Sequence, residues 1–474
     1  VASERKLALQ VVVLLLVAAS CGGLAIAAQA PTPVPCAAVV AVEGQTPLCY
    51  PKPAPTPTPP PACVPQLDRG VVVDKCAHPM TAAAELAVGE SRIDAELGGK
   101  VTRITAVPKS RGANAIAKPV YSTMPAWTAP DANGKRQIMF WVREDGWYLA
   151  EDEAPHKVVK KLPIGDPWPS DIEHLWPHRT RRVIQYTTMN GKTSAGVAGR
   201  QQLVEMDIDT GAKTVLVDFT APACSSELSL GNDPSPPSAD GSILGLECIG
   251  TVNGQPGQKV KLSFDVAQKK VLGYLVRNTT PNAPSPTHSG KRFYFDGQSW
   301  NQGLTEFFSM GLAVVHEHSG NVTLRDGSEW YVAPDFSGSA DRGNLVMTSL
   351  DSPGVAKRVV LGPAAGYGDT VWSKTHVSCL AYDNPGWCAV SIVGNPDGQG
   401  ILSNEIVFVD LNPGGKVYRM AHHRSAAGEA GGEGYWGEPH VVISPDGTKA
   451  IFGSDLGKSI ATGGSVDTYL VEFP

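Results

Sequence analysis

From Gly98 onward one pattern of apolar and polar positions recurs along the chain. A short apolar run meets a turn, a second apolar run follows, and a strand of alternating apolar and basic residues closes the unit. The clearest copy lies near the C-terminus, where Val441-Val442-Ile443 is followed by Ser444-Pro445-Asp446-Gly447 and then Ala450-Ile451-Phe452. Proline presets φ, aspartate caps the turn and glycine accepts positive φ, so this stretch predicts a β-hairpin. Comparable turns occur at Asn133-Gly134, His178-Arg179-Thr180, Asp240-Gly241, Ser289-Gly290, Asp326-Gly327 and Pro385-Gly386. With Asp446-Gly447 they repeat at roughly 40 to 60 residues, the range of propellers and solenoid arrays.

The basic strands keep the same period. They begin near Lys100, Lys157, Lys213, Lys269, Lys357 and Lys416. Alternating apolar and basic residues suit an outer strand, half exposed and protected from edge pairing. Hairpin, third strand, turn and outer basic strand make a four-stranded blade. The predicted fold is therefore all-β: a seven-bladed β-propeller, with six blades and one large insertion as the alternative. The chain stops at Tyr469-Leu470-Val471-Glu472-Phe473-Pro474, a third strand with no fourth after it. Residues 98–106 are expected to supply that strand and close the ring. One short helix is expected, at Ala82–Leu86.

Composition fits many turns and little helix, with 50 glycines and 39 prolines in 474 residues. A net charge of −6 and the absence of any basic run exclude a phosphate-tracking surface for nucleic acid. Residues 1–30 read as an export signal, with Arg5 and Lys6 before the apolar run Leu7 to Ala19. Two ends of that signal are open. Either Ala18-Ala19-Ser20-Cys21 is a lipobox, making a lipid the chain's one link to a membrane, or cleavage falls near Ala25-Ile26-Ala27. Residues 31–78 form a Pro-rich, Cys-containing linker, and 79–474 the propeller. Besides Cys21, eight cysteines suggest disulfides in an exported chain. Local pairing predicts Cys36 with Cys49, Cys63 with Cys76, Cys224 with Cys248, and Cys379 with Cys388.

In a propeller the innermost strands line a channel, and residues at their entry ends share one mouth. His318, His376 and His440 each stand a few residues ahead of the turn glycine of their hairpin, and His174 has a similar place. Blades five, six and seven would thus aim imidazoles at one point. Glu438, His422 and His423 lie on the connection into blade seven. Histidines with a carboxylate suit a divalent metal, and added oxygen ligands tilt the choice toward Mn or Ca. The candidate ligands are His376, His440, Glu438 and His316. Trp372, Trp387 and Trp436 are candidates for stacking on sugars near the mouth.

The stretch Tyr435-Trp436-Gly437-Glu438-Pro439-His440, with Ser444-Pro445-Asp446-Gly447, Ser454-Asp455 and Val466-Asp467-Thr468-Tyr469-Leu470, resembles the oligogalacturonate lyases and their TolB-like, WD40-like relatives. That resemblance implies a seven-bladed periplasmic propeller. It implies manganese held by histidines and a glutamine, and β-elimination of uronate polymers. His440 matches one ligand of the last-blade motif, and His376 matches the ligand of the preceding blade. At the family's other last-blade histidine this chain has Glu438, and at its glutamine it has Tyr435. For a lyase the chemistry asks for a cation on the uronate carboxylate, a base, and positive charge at the enolate. His318 or His423 is the candidate base and Arg424 the candidate enolate cation, with His316 an alternative base. Two functions stay open. One is a non-catalytic binding, structural or assembly module that takes a protein or glycan at the mouth. The other is a metal-dependent polysaccharide lyase.

Overall fold

The structure is a computed structural model. It describes two strands, Cys36–Val40 and Leu48–Pro51, and residues 64–474 except 166–168, 170–171, 189–200, 220–223, 279–281, 313–317, 336–341, 369–373, 396, 427–433 and 459–462. The two early strands pair with each other in a unit of their own, residues 1–62. The export signal and most of the Pro-rich linker lie outside the described residues. Among the described residues no helix is long and apolar enough to cross a membrane.

The second unit holds seven antiparallel sheets, each built on four strands. Their innermost strands are Ala117–Lys118, Leu175–Pro177, Ser226–Ser229, Ser285–Pro286, Gly320–Thr323, His376–Ser378 and Val442–Ile443, for blades one to seven. In blades one, two, three, five and six the basic strands predicted from sequence are the fourth strands, Val158–Lys161, Lys213–Phe219, Lys270–Val276, Arg358–Leu361 and Val417–His422. Blade four is the exception: its fourth strand is the short Phe307–Ser309, which carries no lysine.

Blade seven takes its fourth strand from the start of the domain. Lys100–Arg103 pairs antiparallel with Asp467–Glu472, Arg103 opposite Tyr469 and Lys100 opposite Glu472. Alternation puts the two charged pairs where they meet: Lys100 reaches Glu472 at 2.7 Å, and buried Arg103 reaches Asp467 at 2.8 Å. On the other side, Thr468 Oγ1 donates to the carbonyl of Ala117, which joins blade seven to blade one. Between blades apolar side chains pack in continuous clusters. Phe140, Phe408, Ile451 and Leu470 share one cluster across blades one, six and seven. Each such side chain contributes about 1.5–3 kcal/mol by leaving water.

Three expectations are corrected. Ala82–Leu86 is not helical: the stretch runs as irregular chain, because five residues cannot offset helix nucleation and the Thr81 hydroxyl, the available N-cap, donates to Glu96 instead. The described helix is instead one turn, Gly434–Gly437. Second, residues 66–78, read as linker, fold onto blade six. Leu67–Asp68 and Val71–Val72 form a hairpin, and Val72 pairs with Arg419. The strand around Lys416 is therefore covered and is not an edge. Third, Trp387 lies at the end of its strand away from the mouth. There it stacks on Tyr418, packs edge-on against Phe473 and serves packing.

Cys224–Cys248 and Cys379–Cys388 are disulfides, as local pairing predicts. Cys76 is also disulfide-bonded. Cys63 lies outside the described residues, as do the side chains of Cys36 and Cys49.

Candidate metal centre at the channel mouth

Each functional side chain sits where an innermost strand begins. His376 opens the inner strand of blade six, with Ser391 opposite it on the next strand. His440 precedes the inner strand of blade seven, and Glu438 lies two residues before it. Gly453 of the neighbouring strand donates its N–H to the Pro439 carbonyl at 2.8 Å, which fixes this turn. His440 adopts φ +43°, His318 +66° and Lys374 +51°. Left-handed backbone is costly for such residues, so the surrounding packing must impose it.

The three side chains converge. Glu438 Oε2 is 3.7 Å from His376 Nε2 and 3.6 Å from His440 Nε2. The two imidazole centroids are 4.2 Å apart. Their ligand atoms and that of Glu438 all lie within 4.8 Å of one another. His318 joins from blade five, its ring 4.1 Å from that of His376. Tyr121 and Tyr435 wall the cluster, with ring centroids 5.0 Å and 4.9 Å from His440.

Electrostatics there are those of a dry site. Burial holds the His376 and His440 imidazoles well below the ordinary histidine range, and Lys118 and neighbouring imidazoles push the same way. Both rings are therefore neutral at pH 7. Burial raises the Glu438 carboxyl, while Lys118 and Lys374 oppose that rise. Burial brings the Lys118 ammonium down to about 8, against the pull of Glu438 and Glu173.

The donor set fits a metal. None of the four ring nitrogens of His376 and His440 has a hydrogen-bond partner among the described residues. The Lys374 backbone lies near His376 without forming a well-aligned bond. Buried polar atoms are almost always satisfied, so four orphans in one cluster call for a missing partner. Donors 3.6–3.7 Å apart subtend about 120° at an ion held by bonds of about 2.1 Å. Two neutral imidazoles and one carboxylate suit Zn, Mn or Fe, and three protein ligands leave positions open.

The other sequence candidates separate from this group. His423 donates from Nε2 to the Ile392 carbonyl at 3.1 Å and accepts the Ser425 N–H on Nδ1 at 3.0 Å. With both nitrogens engaged it cannot serve as the base, and burial pushes its imidazole down to about 3. Arg424 pairs with Asp94 at 2.6 Å and Glu96 at 3.1 Å, and is not available as an enolate cation. Both flank the outer strand of blade six, where His422 lies opposite Glu405. That strand is three spacings from His376, roughly 14 Å at about 4.8 Å each. They share the face of the ring with the mouth but lie at its rim. His174 donates to the Gly231 carbonyl at 3.0 Å. His316 and Trp372 fall outside the described residues. Trp436 packs beside Trp141 at 5.4 Å, under the Arg143 guanidinium at 5.0 Å.

Sequence reasoning missed Lys118 and Tyr121. The usable signal was a lone lysine inside the apolar run Ile116-Ala117-Lys118-Pro119-Val120-Tyr121. At the far end of the channel Arg179 pairs with Asp383 and lies over Tyr382, whose ring is 4.8 Å from that of His288. These contacts join blades two, four and six across the axis.

Comparison with solved structures gives the same architecture. The chain is similar to an oligogalacturonate lyase in complex with manganese, with a TM-score of 0.53 and 15% identity over 81% of this chain and 96% of that one. It is similar to an oligogalacturonate lyase from Vibrio parahaemolyticus, with a TM-score of 0.48 and 14% identity over 81% and 96%. TolB from Acinetobacter baumannii gives a TM-score of 0.31 and 13% identity over 77% of this chain and 65% of that one. At 15% identity the likeness to the first of these is one of fold. No family model matches the sequence, and no curated protein matches it.

Proposed function

We propose that this protein is a divalent-metal-binding propeller that takes a uronate-containing glycan at its mouth and cleaves it by β-elimination. The observation that carries the reading is the buried convergence of His376, Glu438 and His440, with every imidazole nitrogen unpartnered among the described residues. The metal found in the structurally similar lyase supports manganese as the ion. When bound, the ion would neutralise the uronate carboxylate and acidify the adjacent C–H.

The residues of the chain would do the rest. His318 donates from Nδ1 to the Thr375 carbonyl at 2.8 Å. That bond fixes the proton on Nδ1 and makes Nε2 the basic nitrogen, the form a general base needs. His318 is half-buried, while His376 and His440 lie fully inside. Tyr435 is partly exposed and donates to Glu173 at 2.8 Å, which holds its ring beside His440. The two disulfides support an oxidising compartment outside the cytoplasm.

A second reading is a metal-centred glycan-binding module without turnover. It is favoured by the engagement of Arg424 with Asp94 and Glu96, which removes the expected enolate cation. One experiment separates the two. Elemental analysis of the purified protein should find a divalent ion that His440→Ala loses. Incubation with uronate polymers should then raise the ultraviolet absorbance of unsaturated products. Metal without product supports the binding module, and absence of metal sinks both readings.

A further inference from the structure

Lys118 is the buried cation that the proposed chemistry does not use. It ends the inner strand of blade one, opposite Trp141, and its side chain is fully enclosed. A lysine so placed must be held by something, because an unpaired buried ammonium is costly. Its Nζ donates to the main-chain carbonyl of Glu438 at 3.0 Å, across 320 residues of sequence. The ammonium also lies 5.4 Å from the centroid of the Tyr435 ring.

Glu438 is the first of the two ligands carried by the turn Glu438-Pro439-His440. That turn is gripped at two places. Gly453 holds the Pro439 carbonyl from within blade seven, at 2.8 Å. Lys118 holds the Glu438 carbonyl from blade one. A side chain added at Gly453 would meet Lys118 Cβ at 3.2 Å, so the two grips pack against each other. Between them they fix a backbone in which His440 adopts φ +43°.

We propose that Lys118 is a positioning residue for the metal: it holds the Glu438–His440 turn in its ligating conformation from the neighbouring blade. The metal site is then completed across the seam where blade seven meets blade one. This inference rests on the metal-binding reading above.

Charge and position predict opposite signs, which makes the test sharp. A cation near a metal repels it, so removing the charge alone would tighten binding. Removing the grip on the turn would weaken it. Partners outside the ligand shell commonly change affinity 10- to 100-fold. The experiment is a titration of metal-free full-length protein with Mn2+ alone, following the free-ion electron paramagnetic resonance signal. Wild type, Lys118→Met and Lys118→Gln are compared at pH 7, with near-ultraviolet circular dichroism confirming the fold. Methionine matches the length without a donor. Glutamine is the polar variant, should methionine disturb folding. Affinity about 10-fold or more weaker in a folded variant is the expected result.

Unchanged or tighter binding overturns the inference. If wild type itself binds no Mn2+, the metal reading fails first and takes this inference with it.

Discussion

Buried histidines in this protein are of two kinds, and the difference is visible atom by atom. His423 has both nitrogens bonded to the main chain. Among the described residues, His376 and His440 have neither nitrogen bonded and share a carboxylate. Truncation should therefore give opposite phenotypes. His423→Ala should keep its metal and lose about 1–3 kcal/mol of stability, because it strands a buried carbonyl and an N–H. Measured by denaturant unfolding beside metal analysis, loss of metal without loss of stability would reverse the two roles. Glu438→Gln should retain the fold and bind Mn2+ more weakly, since it removes the one anionic ligand. The imidazole positions were legible because each stands seven to ten residues before a turn glycine, and that glycine marks the hairpin. Lys118 was not legible in that way. Its inner strand is only Ala117–Lys118, and irregular chain separates it from Asn133-Gly134. Arg424 misled for a different reason: its partners Asp94 and Glu96 lie 330 and 328 residues away.

At the scale of the strand, the alternating basic segments announced the outer strands. The signal says only that one face is polar. It cannot say what covers that face. Arg419 is the case in point. It belongs to a basic strand yet is fully buried, clasped by Glu405 through Nε at 2.8 Å and bonded to the Cys76 carbonyl. Breaking a buried pair from one side leaves an uncompensated charge and costs about 3–5 kcal/mol. Arg419→Met should lose stability on that order in denaturant titration. Adding Glu405→Leu should recover part of it, because the stranded carboxylate is then gone. A double variant no more stable than the single one would show that the bonds to residues 74–76 dominate. Blade four went unmarked by any lysine because its outer strand is three residues long, and a short edge needs no charged guard.

The molecule as a whole should be sensitive to mild acid. Burial lowers His178 to about 4 and His288 and His423 to about 3. An unfolded histidine titrates near 6.5. Below that pH the unfolded chain takes up protons that the folded chain refuses, so stability is full above about 6.5 and falls as pH drops toward the folded values. Each fully buried ring contributes about 2 kcal/mol to the loss between pH 7 and pH 5. Denaturation midpoints across that interval check this, and His288→Phe should flatten the curve by one such share. An unchanged slope would mean that His288 titrates alike in the folded and unfolded chain. Ring closure is the other global property. It turns residues far apart in sequence into one site, with His318 on blade five, His376 on blade six and Glu438 and His440 on blade seven.

That claim meets its most direct test in diffraction. Crystals grown with Mn2+ and measured at the manganese absorption edge should show one strong anomalous peak in the channel mouth, bonded to His376, His440 and Glu438. A peak placed instead among Asp94, Glu96 and His422 at the rim, or no peak in manganese-loaded crystals, would contradict the account.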